Sequence, residues 1–337
     1  MGKCGWKESG TPMFQWPGRR LRLAGAPVLF AAVLAAQDTV IRVNVNLVHV
    51  IATVKNRQGE LVGALHKEDF EISDNGVRQE VAVFQRQTEQ PLSVALVVDT
   101  SGSTAKEMKY ESASSAEFLR ALLSEGNPED AVALYCFNYD VTMLQNFTRN
   151  YPSLERQFRL LHGEGGSSVY DAIYYAARDL EQRRGRKVIV IVTDGGDTTS
   201  VRDLKQALKE AQMADAVIYP VVVMPITNDA GRNIGGENAL TFIAQGTGGR
   251  TFLQTGAAQL DKAFGGIITE LRTQYVLGFY PHDVPLTKNP FHTLEVRVKP
   301  ADLRVSARNG YYGDSEGNTG SQGDRISVSP GRKKKTP

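Results

Sequence analysis

Cysteine is scarce in this chain of 337 residues, which contains two, Cys4 and Cys136. Cys4 lies in a segment that we expect to be removed, so we expect no internal disulfide in the mature protein. Cys136 lies within the apolar run 131–137, where a small buried core residue is the simplest interpretation. We therefore expect the fold to depend on its hydrophobic core alone.

Common catalytic signatures are also missing. The sequence has no Gly-x-Ser-x-Gly and no His-Glu-x-x-His, and the glycines at 163–166 are not followed by the Lys-Ser/Thr of a phosphate loop. Ser101 stands where a phosphatase of the haloacid dehalogenase type would need a second Asp after Asp99. No zinc spacing links the five histidines, which are His49, His66, His162, His282 and His292. We therefore expect no enzyme and no small-molecule cofactor.

No apolar run is long enough to span a bilayer comfortably. The longest uncharged stretch near the start, 23–36, follows the basic residues Arg19, Arg20 and Arg22, which is typical of a secretory signal. We expect residues 1–36 to be a signal peptide that is cleaved near Gln37, so that the protein is secreted or periplasmic. It would then not be an integral membrane protein; an uncleaved anchor is the alternative.

Basic charge is concentrated at the two ends of the chain. The net charge is only +2, and the part between the basic ends has more acidic than basic residues. This distribution argues against a nucleic acid as the main partner. Residues 314–337 are rich in Gly, Ser and charge, which predicts a disordered basic tail.

Two separate segments have the period of two that is typical of strands. In 37–90, the apolar residues Val48, Val50, Ala52 and Val54 occupy every second position, as in a strand with one buried face. In the same segment, Asp74-Asn75-Gly76 predicts a hairpin. Alternation returns in 273–313. Neither segment has enough strands to be stable alone. We predict that they form one β-sandwich into which the middle of the chain is inserted; two unrelated β extensions are the alternative.

The middle segment, 91–272, alternates between strand and helix patterns. Strands are predicted at 93–99, 131–137, 187–193, 216–224 and 250–253, with an antiparallel edge strand at 141–147. Helices are predicted at 104–125, 151–161, 170–183, 201–213, 237–245 and 258–272. This order predicts an α/β domain with a doubly wound, mostly parallel sheet.

The segment Ser93–Thr104 is the centre of the functional prediction. Its apolar part reads as a buried parallel strand, and Asp99 follows at the carboxyl end, where open α/β sheets bind ligands. Asp99, Ser101 and Ser103 place one carboxylate and two hydroxyls on one loop. Such oxygens suit Mg²⁺, Mn²⁺ or Ca²⁺. Ser103 or Thr104 is also predicted to cap the next helix.

This Asp-x-Ser-x-Ser loop resembles the metal-ion-dependent adhesion site (MIDAS) of the von Willebrand factor type A domain, which also occurs in integrins. That family takes two more ligands, from a Gly-Gly-Thr loop and from a Thr-Asp-Gly strand end. Gly165-Gly166-Ser167 resembles the first, with Ser in place of Thr, and Thr193-Asp194-Gly195 resembles the second. The resemblance implies a metal site formed by Asp99, Ser101, Ser103, Ser167 and Asp194.

The resemblance also implies a function. A cation held by so few charges keeps an open position that an Asp or Glu of a partner protein can fill, with Mg²⁺ the expected ion and Mn²⁺ or Ca²⁺ as alternatives. Over residues 38–313 the chain resembles bacterial proteins related to the von Willebrand factor type A family. A metal-assisted hydrolase and a secreted scaffold without metal-dependent binding remain open. We expect Asp171 to cap or orient its own loop, and Asp197 to cap the following helix.

Overall fold

The computed structural model describes residues 47–86, 90–224, 232–255, 259–285 and 287–313. The predicted signal peptide, the first ten residues of the N-terminal β segment and the predicted basic tail lie outside these residues. The strands are β1 Val48–Lys55, β2 Phe70–Asp74, β3 Val77–Gln79, β4 Val81–Arg86, β5 Leu92–Asp99, β6 Ala131–Phe137, β7 Val141–Thr148, β8 Arg186–Thr193, β9 Ala216–Met224, β10 Phe252–Thr255, β11 Tyr275–Phe279, β12 Phe291–Val298, β13 Arg304–Ala307 and β14 Gly310–Tyr312. The helices are α1 Met108–Glu125, α2 Tyr151–Phe158, α3 Val169–Glu181, α4 Leu204–Met213, α5 Ile234–Thr247 and α6 Leu260–Leu271.

The central sheet has the strand order β10-β9-β8-β5-β6-β7. Its pairs are parallel except that β7 runs antiparallel to β6 at the edge, as the sequence predicts. Successive strands extend to one side of β5 and then, from β8 onward, to the other. The strand order therefore reverses beside β5, and a crevice opens at the carboxyl ends of β5 and β8.

Helices cover both faces of this sheet. On β5, Val94, Leu96 and Val98 share a core with side chains of α1, α2 and α6, whereas Ala95 and Val97 share one with α3, α4 and α5. A strand that is buried on both faces has no polar alternation, which explains the apolar run from Val94 to Val98 in β5. Asp99 follows this run as the only ionisable residue of the strand, at its carboxyl end.

Two antiparallel sheets combine strands from before and after the central domain. Their orders are β13-β1-β11-β4 and β14-β12-β2-β3, and their side chains share one apolar core that includes Val50, Ile72 and Phe279. Asn75 and Gly76 have φ of 47° and 82°, as a tight hairpin between β2 and β3 requires. The predicted fold class, a doubly wound α/β sheet with a β-sandwich built from both chain segments, is confirmed.

The predicted start of the first helix is wrong. Helix α1 begins at Met108 rather than at 104, and its capping position is occupied by Glu107, whose side chain makes no capping hydrogen bond. The Thr104 hydroxyl instead donates to the carbonyls of Asp99 (3.1 Å) and Ser101 (3.0 Å). These bonds close the Asp99 loop on itself, so the hydroxyl is not available for the helix.

Among the described residues, no helix is long and apolar enough to cross a membrane.

Candidate metal centre

Asp99 is the centre of a hydrogen-bonded cluster at the end of β5. Its side chain is fully buried, and Oδ1 accepts a hydrogen bond from the Ser101 amide (2.8 Å). Oδ2 accepts two more, from Ser167 Oγ (3.1 Å) and from Thr193 Oγ1 (2.6 Å). The carboxylate therefore links its own loop to the Ser167 loop and to the end of β8, and a donor from each of the three sets its orientation.

The serines of the first loop lie beside this carboxylate. The hydroxyls of Ser101 and Ser103 are 3.1 Å apart, with Ser101 buried and Ser103 exposed. Ser167 is 4% exposed. The hydroxyl set thus runs from the buried carboxylate outward to solvent, which leaves one side of the cluster accessible.

Asp194 directly follows the strand residue Thr193, whose hydroxyl contacts Asp99. Asp194 Oδ1 accepts from the amide of Gly196 (3.1 Å), and the side chain is partly exposed. The negative charge of Asp194 is one of the causes that raise the pKa of Asp99. The structure thus brings all five residues of the predicted site to one edge of the sheet, at the strand-order reversal; their role as ligands stays a prediction.

Backbone hydrogen bonds connect the loop that follows Asp99 to the loop that carries Ser167. Gly102 N donates to Gly165 O (3.0 Å) and Glu164 N donates to Thr100 O (2.9 Å). Gly165 has φ +81°, and a Cβ there would lie 2.3 Å from the ring of Tyr139. The positive φ at this position favours glycine, and a Cβ there would also push aside the exposed ring of Tyr139.

The loop that follows β8 holds Ser167 from the other side. The Ser167 amide donates to the Thr198 hydroxyl oxygen (2.9 Å), and the Thr198 amide donates to the Ser167 carbonyl (2.8 Å). The backbone of Ser167 is therefore held by its neighbours, while its hydroxyl is directed at Asp99.

The two further acids in this region serve these loops. Asp171 accepts from the amides of Val201 (2.9 Å) and Arg202 (3.0 Å), so it orients the loop after β8 rather than its own. Asp197 accepts from the amide of Tyr170 (3.2 Å) in the first turn of α3. Helix α4, which Asp197 was predicted to cap, is capped by Asp203 instead. The predicted cap is wrong because Asp197 lies seven residues before that helix begins.

Burial and neighbouring negative charges raise the pKa values of two acids at this site. Desolvation raises the pKa of Asp99 to about 6, against the opposing hydrogen bonds from Thr193 and Ser101 and with a further increase from Asp194. Desolvation also raises the pKa of Glu111, in the first turn of α1, to about 8, and the charges of Asp99 and Asp194 add to this shift. A cation here would favour the ionised form of each acid.

The donor set fits a hard divalent cation. It consists of carboxylate and hydroxyl oxygens, which Mg²⁺, Mn²⁺ and Ca²⁺ prefer, and it includes no thiol or imidazole. Within the described ranges, no three His, Cys, Asp or Glu side chains are gathered closely enough to hold a metal ion by themselves. A cation held here would therefore depend on the serine hydroxyls as well as on carboxylates.

Two residues of the site were not predicted as part of it. Thr193 lies within the Thr-Asp-Gly motif, but only the tertiary structure reveals that its hydroxyl bonds to Asp99. Glu111 has a sequence signal that could have been used. It shares a helix face with Ser115 and Leu119, at intervals of four residues, and a carboxylate within an apolar helix face is unusual.

The fold and the cluster define an α/β domain with an oxygen-rich site at the carboxyl edge of its sheet. Residues 94–196 match the family model described as the von Willebrand factor type A domain. The chain therefore contains a von Willebrand factor type A domain, a class that commonly mediates protein–protein interaction. Among curated proteins, none matches this sequence.

Solved structures of such domains are similar to this chain at low identity. The von Willebrand factor domain of the type V pili tip protein Mfa5 from Porphyromonas gingivalis is 16% identical, with 53% of this chain and 94% of that chain covered and a TM-score of 0.45. The conserved hypothetical protein BatB from Bacteroides thetaiotaomicron is 18% identical (53% and 98% covered, TM-score 0.43). A von Willebrand factor type A protein from Catenulispora acidiphila is 11% identical (82% and 75% covered, TM-score 0.45). At these values the likenesses carry no argument about ligands.

Proposed function

We propose that this protein is an exported, metal-dependent protein-binding module. In this proposal Asp99, Ser101, Ser103, Ser167 and Asp194 hold a divalent cation, Mg²⁺ first, with Mn²⁺ and Ca²⁺ as alternatives. An Asp or Glu of a partner protein completes the coordination, as in adhesion. The observation that carries the proposal is the direct hydrogen bonding of Asp99 to Ser167, 68 residues apart, in a cluster that also includes Ser101, Ser103 and Asp194.

The chain's own groups have separate tasks at such a site. The Ser101 amide and the Thr193 hydroxyl donate to Asp99, so the carboxylate is oriented before any ligand arrives. Ser103 is exposed and Asp194 is partly exposed, so the accessible side of the cluster lies with them. When bound, the cation supplies a positive charge with an open position for an anionic oxygen. Because the site has only two carboxylates among its five members, it leaves that charge incompletely neutralised.

A metal-assisted hydrolase is the second candidate. It would need a general base within reach of the substrate. The strongest acid–base candidate beside the site is Glu111, but its side chain is 1% exposed and so does not reach a substrate that arrives from solvent. This burial favours binding over hydrolysis, and we propose that the protein is not an enzyme.

The first test is calorimetric titration of the mature protein with Mg²⁺, Mn²⁺ and Ca²⁺. Ser103→Ala removes an exposed hydroxyl of the site, so we expect Mg²⁺ affinity to fall by at least about 10-fold with little effect on folding. Asp99→Ala should abolish binding. The matched control is Ser124→Ala, because the Ser124 hydroxyl is exposed and donates only to Ala121 O of its own helix. Saturable binding that Asp99→Ala and Ser103→Ala leave unchanged would refute the site.

The open position can be tested with a simple carboxylate. If the site binds Mn²⁺, water on the bound ion should relax solvent protons, and millimolar acetate should lower that relaxation by replacing the water. Chloride at equal ionic strength is the control. An effect of acetate no larger than that of chloride would leave a metal site without the proposed ligand chemistry, and the scaffold alternative would then be favoured.

A further inference from the structure

Glu111 is a buried acid that no contact in the fold accounts for. It lies in the first turn of α1 and is 1% exposed, and its Oε2 has no hydrogen-bond partner among the described residues. A buried carboxyl oxygen without a partner is costly and is normally matched by a donor, a water molecule or an ion. The position therefore needs an explanation outside the fold itself.

A second polar atom on the same helix face is in the same state. Ser115 follows Glu111 by one helical turn and is fully buried, and within the part of the chain that the structure describes its Oγ also has no hydrogen-bond partner. Beyond them on this face, Leu119 packs in the core below β5. Near the start of α1, the inner face of the helix therefore carries two buried polar atoms between the buried apolar side chains of Met108 and Leu119.

Electrostatics connect Glu111 to the candidate metal centre. After desolvation, the charges of Asp99 and Asp194 are the next causes that raise the pKa of Glu111. Yet among the described residues no three acidic side chains lie close enough together to chelate an ion directly. Glu111 is thus within the electric field of the site but outside its direct ligand set.

We infer that Glu111 is a positioning residue of the cation site, whose Oε2 accepts a hydrogen bond from a water molecule held between α1 and the cation. This inference rests on the proposed function. A carboxylate so placed adds a negative charge close to the cation and orients one of its water ligands. The unsatisfied oxygen of Glu111 is then an acceptor that the bound site completes.

The test is titration of Mn²⁺ into wild type, Glu111→Gln and Glu107→Gln. Both variants replace one carboxyl group at the start of α1 with an amide, but Glu107 precedes the helix and is partly exposed. We expect Glu111→Gln to lower Mn²⁺ affinity by about 10- to 100-fold. We expect Glu107→Gln to change affinity by less than about threefold, since an exposed charge is screened by solvent.

Thermal unfolding separates this role from a purely structural one. Without a cation, Glu111→Gln should be at least as stable as wild type, because it removes a buried acid that has no partner. With saturating Mn²⁺, its increase in melting temperature should be smaller than that of wild type. If the glutamine amide disturbs folding, Glu111→Met, of similar size, provides the same comparison.

Three outcomes overturn the inference. If Glu111→Gln binds Mn²⁺ as tightly as wild type does, the inference is contradicted while the proposed function remains intact. An equal loss of affinity in Glu107→Gln also contradicts it, because the effect would then be one of general charge. Absence of Mn²⁺ binding in the wild type overturns the inference and the metal site together.

Discussion

Burial is the main cause of the raised pKa values of the acidic side chains at the carboxyl edge of the sheet. Asp99 is held by three donors and is still shifted toward the neutral form, because desolvation outweighs those hydrogen bonds. The pKa of Glu111 is raised further, because desolvation is again the main cause and the charges of Asp99, Asp194 and Glu107 add to it. At the residue scale, these buried acids therefore lower the stability of the fold when no cation is bound.

The pH dependence of stability should reveal this liability. The pKa of Glu111 is raised from 4.5 to about 8, so between these values the unfolded chain releases a proton that the folded chain keeps. The free energy of unfolding should then fall as pH rises, by about 1.4 kcal/mol per pH unit for this proton. Urea unfolding from pH 5 to 8 with a chelator measures the slope.

Glu111→Gln provides the comparison for that measurement. The variant has no proton to release at this position, so its slope should be shallower by the amount that Glu111 contributes. Parallel slopes in the two proteins would show that Glu111 titrates normally. Saturating Mg²⁺ should also flatten the wild-type slope, because a bound cation favours ionised carboxyls.

Strands from distant parts of the chain meet around one buried polar group in the sandwich. Asp74 at the end of β2 bonds to His292 of β12 (3.0 Å) and accepts a hydrogen bond from the Tyr311 hydroxyl of β14 (2.6 Å). All three side chains are buried. These bonds connect an element before the central domain to two elements after it.

Tyr311→Phe tests that connection at the scale of these elements. The change removes the hydroxyl donor and leaves the Asp74 carboxylate with an unmet acceptor, so the free energy of unfolding should fall by about 1–3 kcal/mol. Urea unfolding measures this loss. Tyr312→Phe, one residue on and only partly buried, should change stability by less than about 0.5 kcal/mol. Equal losses in the two variants would contradict the role of Asp74.

Over the whole molecule, the sandwich depends on both chain segments. Strand β1 lies between β11 and β13, and β2 pairs with β12, so each of these two early strands depends on later ones. The central domain separates the two segments in sequence by almost 200 residues, and the pairings are correspondingly non-local. Folding of the sandwich should therefore await the central domain, which brings the segments together.

Truncation tests this dependence. A chain ending at Arg272 lacks β11–β14, so the segment 47–86 should lose amide protection in hydrogen–deuterium exchange, because β1 has no remaining neighbour. A chain ending at Gly313 keeps every described strand and should exchange like the full-length protein. Retained protection of 47–86 after truncation at Arg272 would contradict the shared sandwich.

The particular successes and errors of sequence interpretation have physical causes. The strand at 131–137 was predicted with its observed bounds, because a continuous apolar run between polar turns leaves little freedom. The start of α1 was misplaced by four residues, because the Thr104 hydroxyl closes the preceding loop instead of capping the helix. Hydroxyl groups can serve either purpose, and the choice depends on neighbours that the local sequence does not specify.

For this protein, the sequence by itself determined the alternation of strand and helix and the chemistry of the segments around Asp99, Ser167 and Asp194. Both depend on local periodicity and residue type. Only the tertiary structure decided that Thr193 bonds to Asp99 and that Glu111 lies buried beside them without a hydrogen-bond partner for its Oε2. Those contacts arise where separate strands and a helix meet in three dimensions. Burial, and with it the shifted pKa values, exists only once that packing is complete.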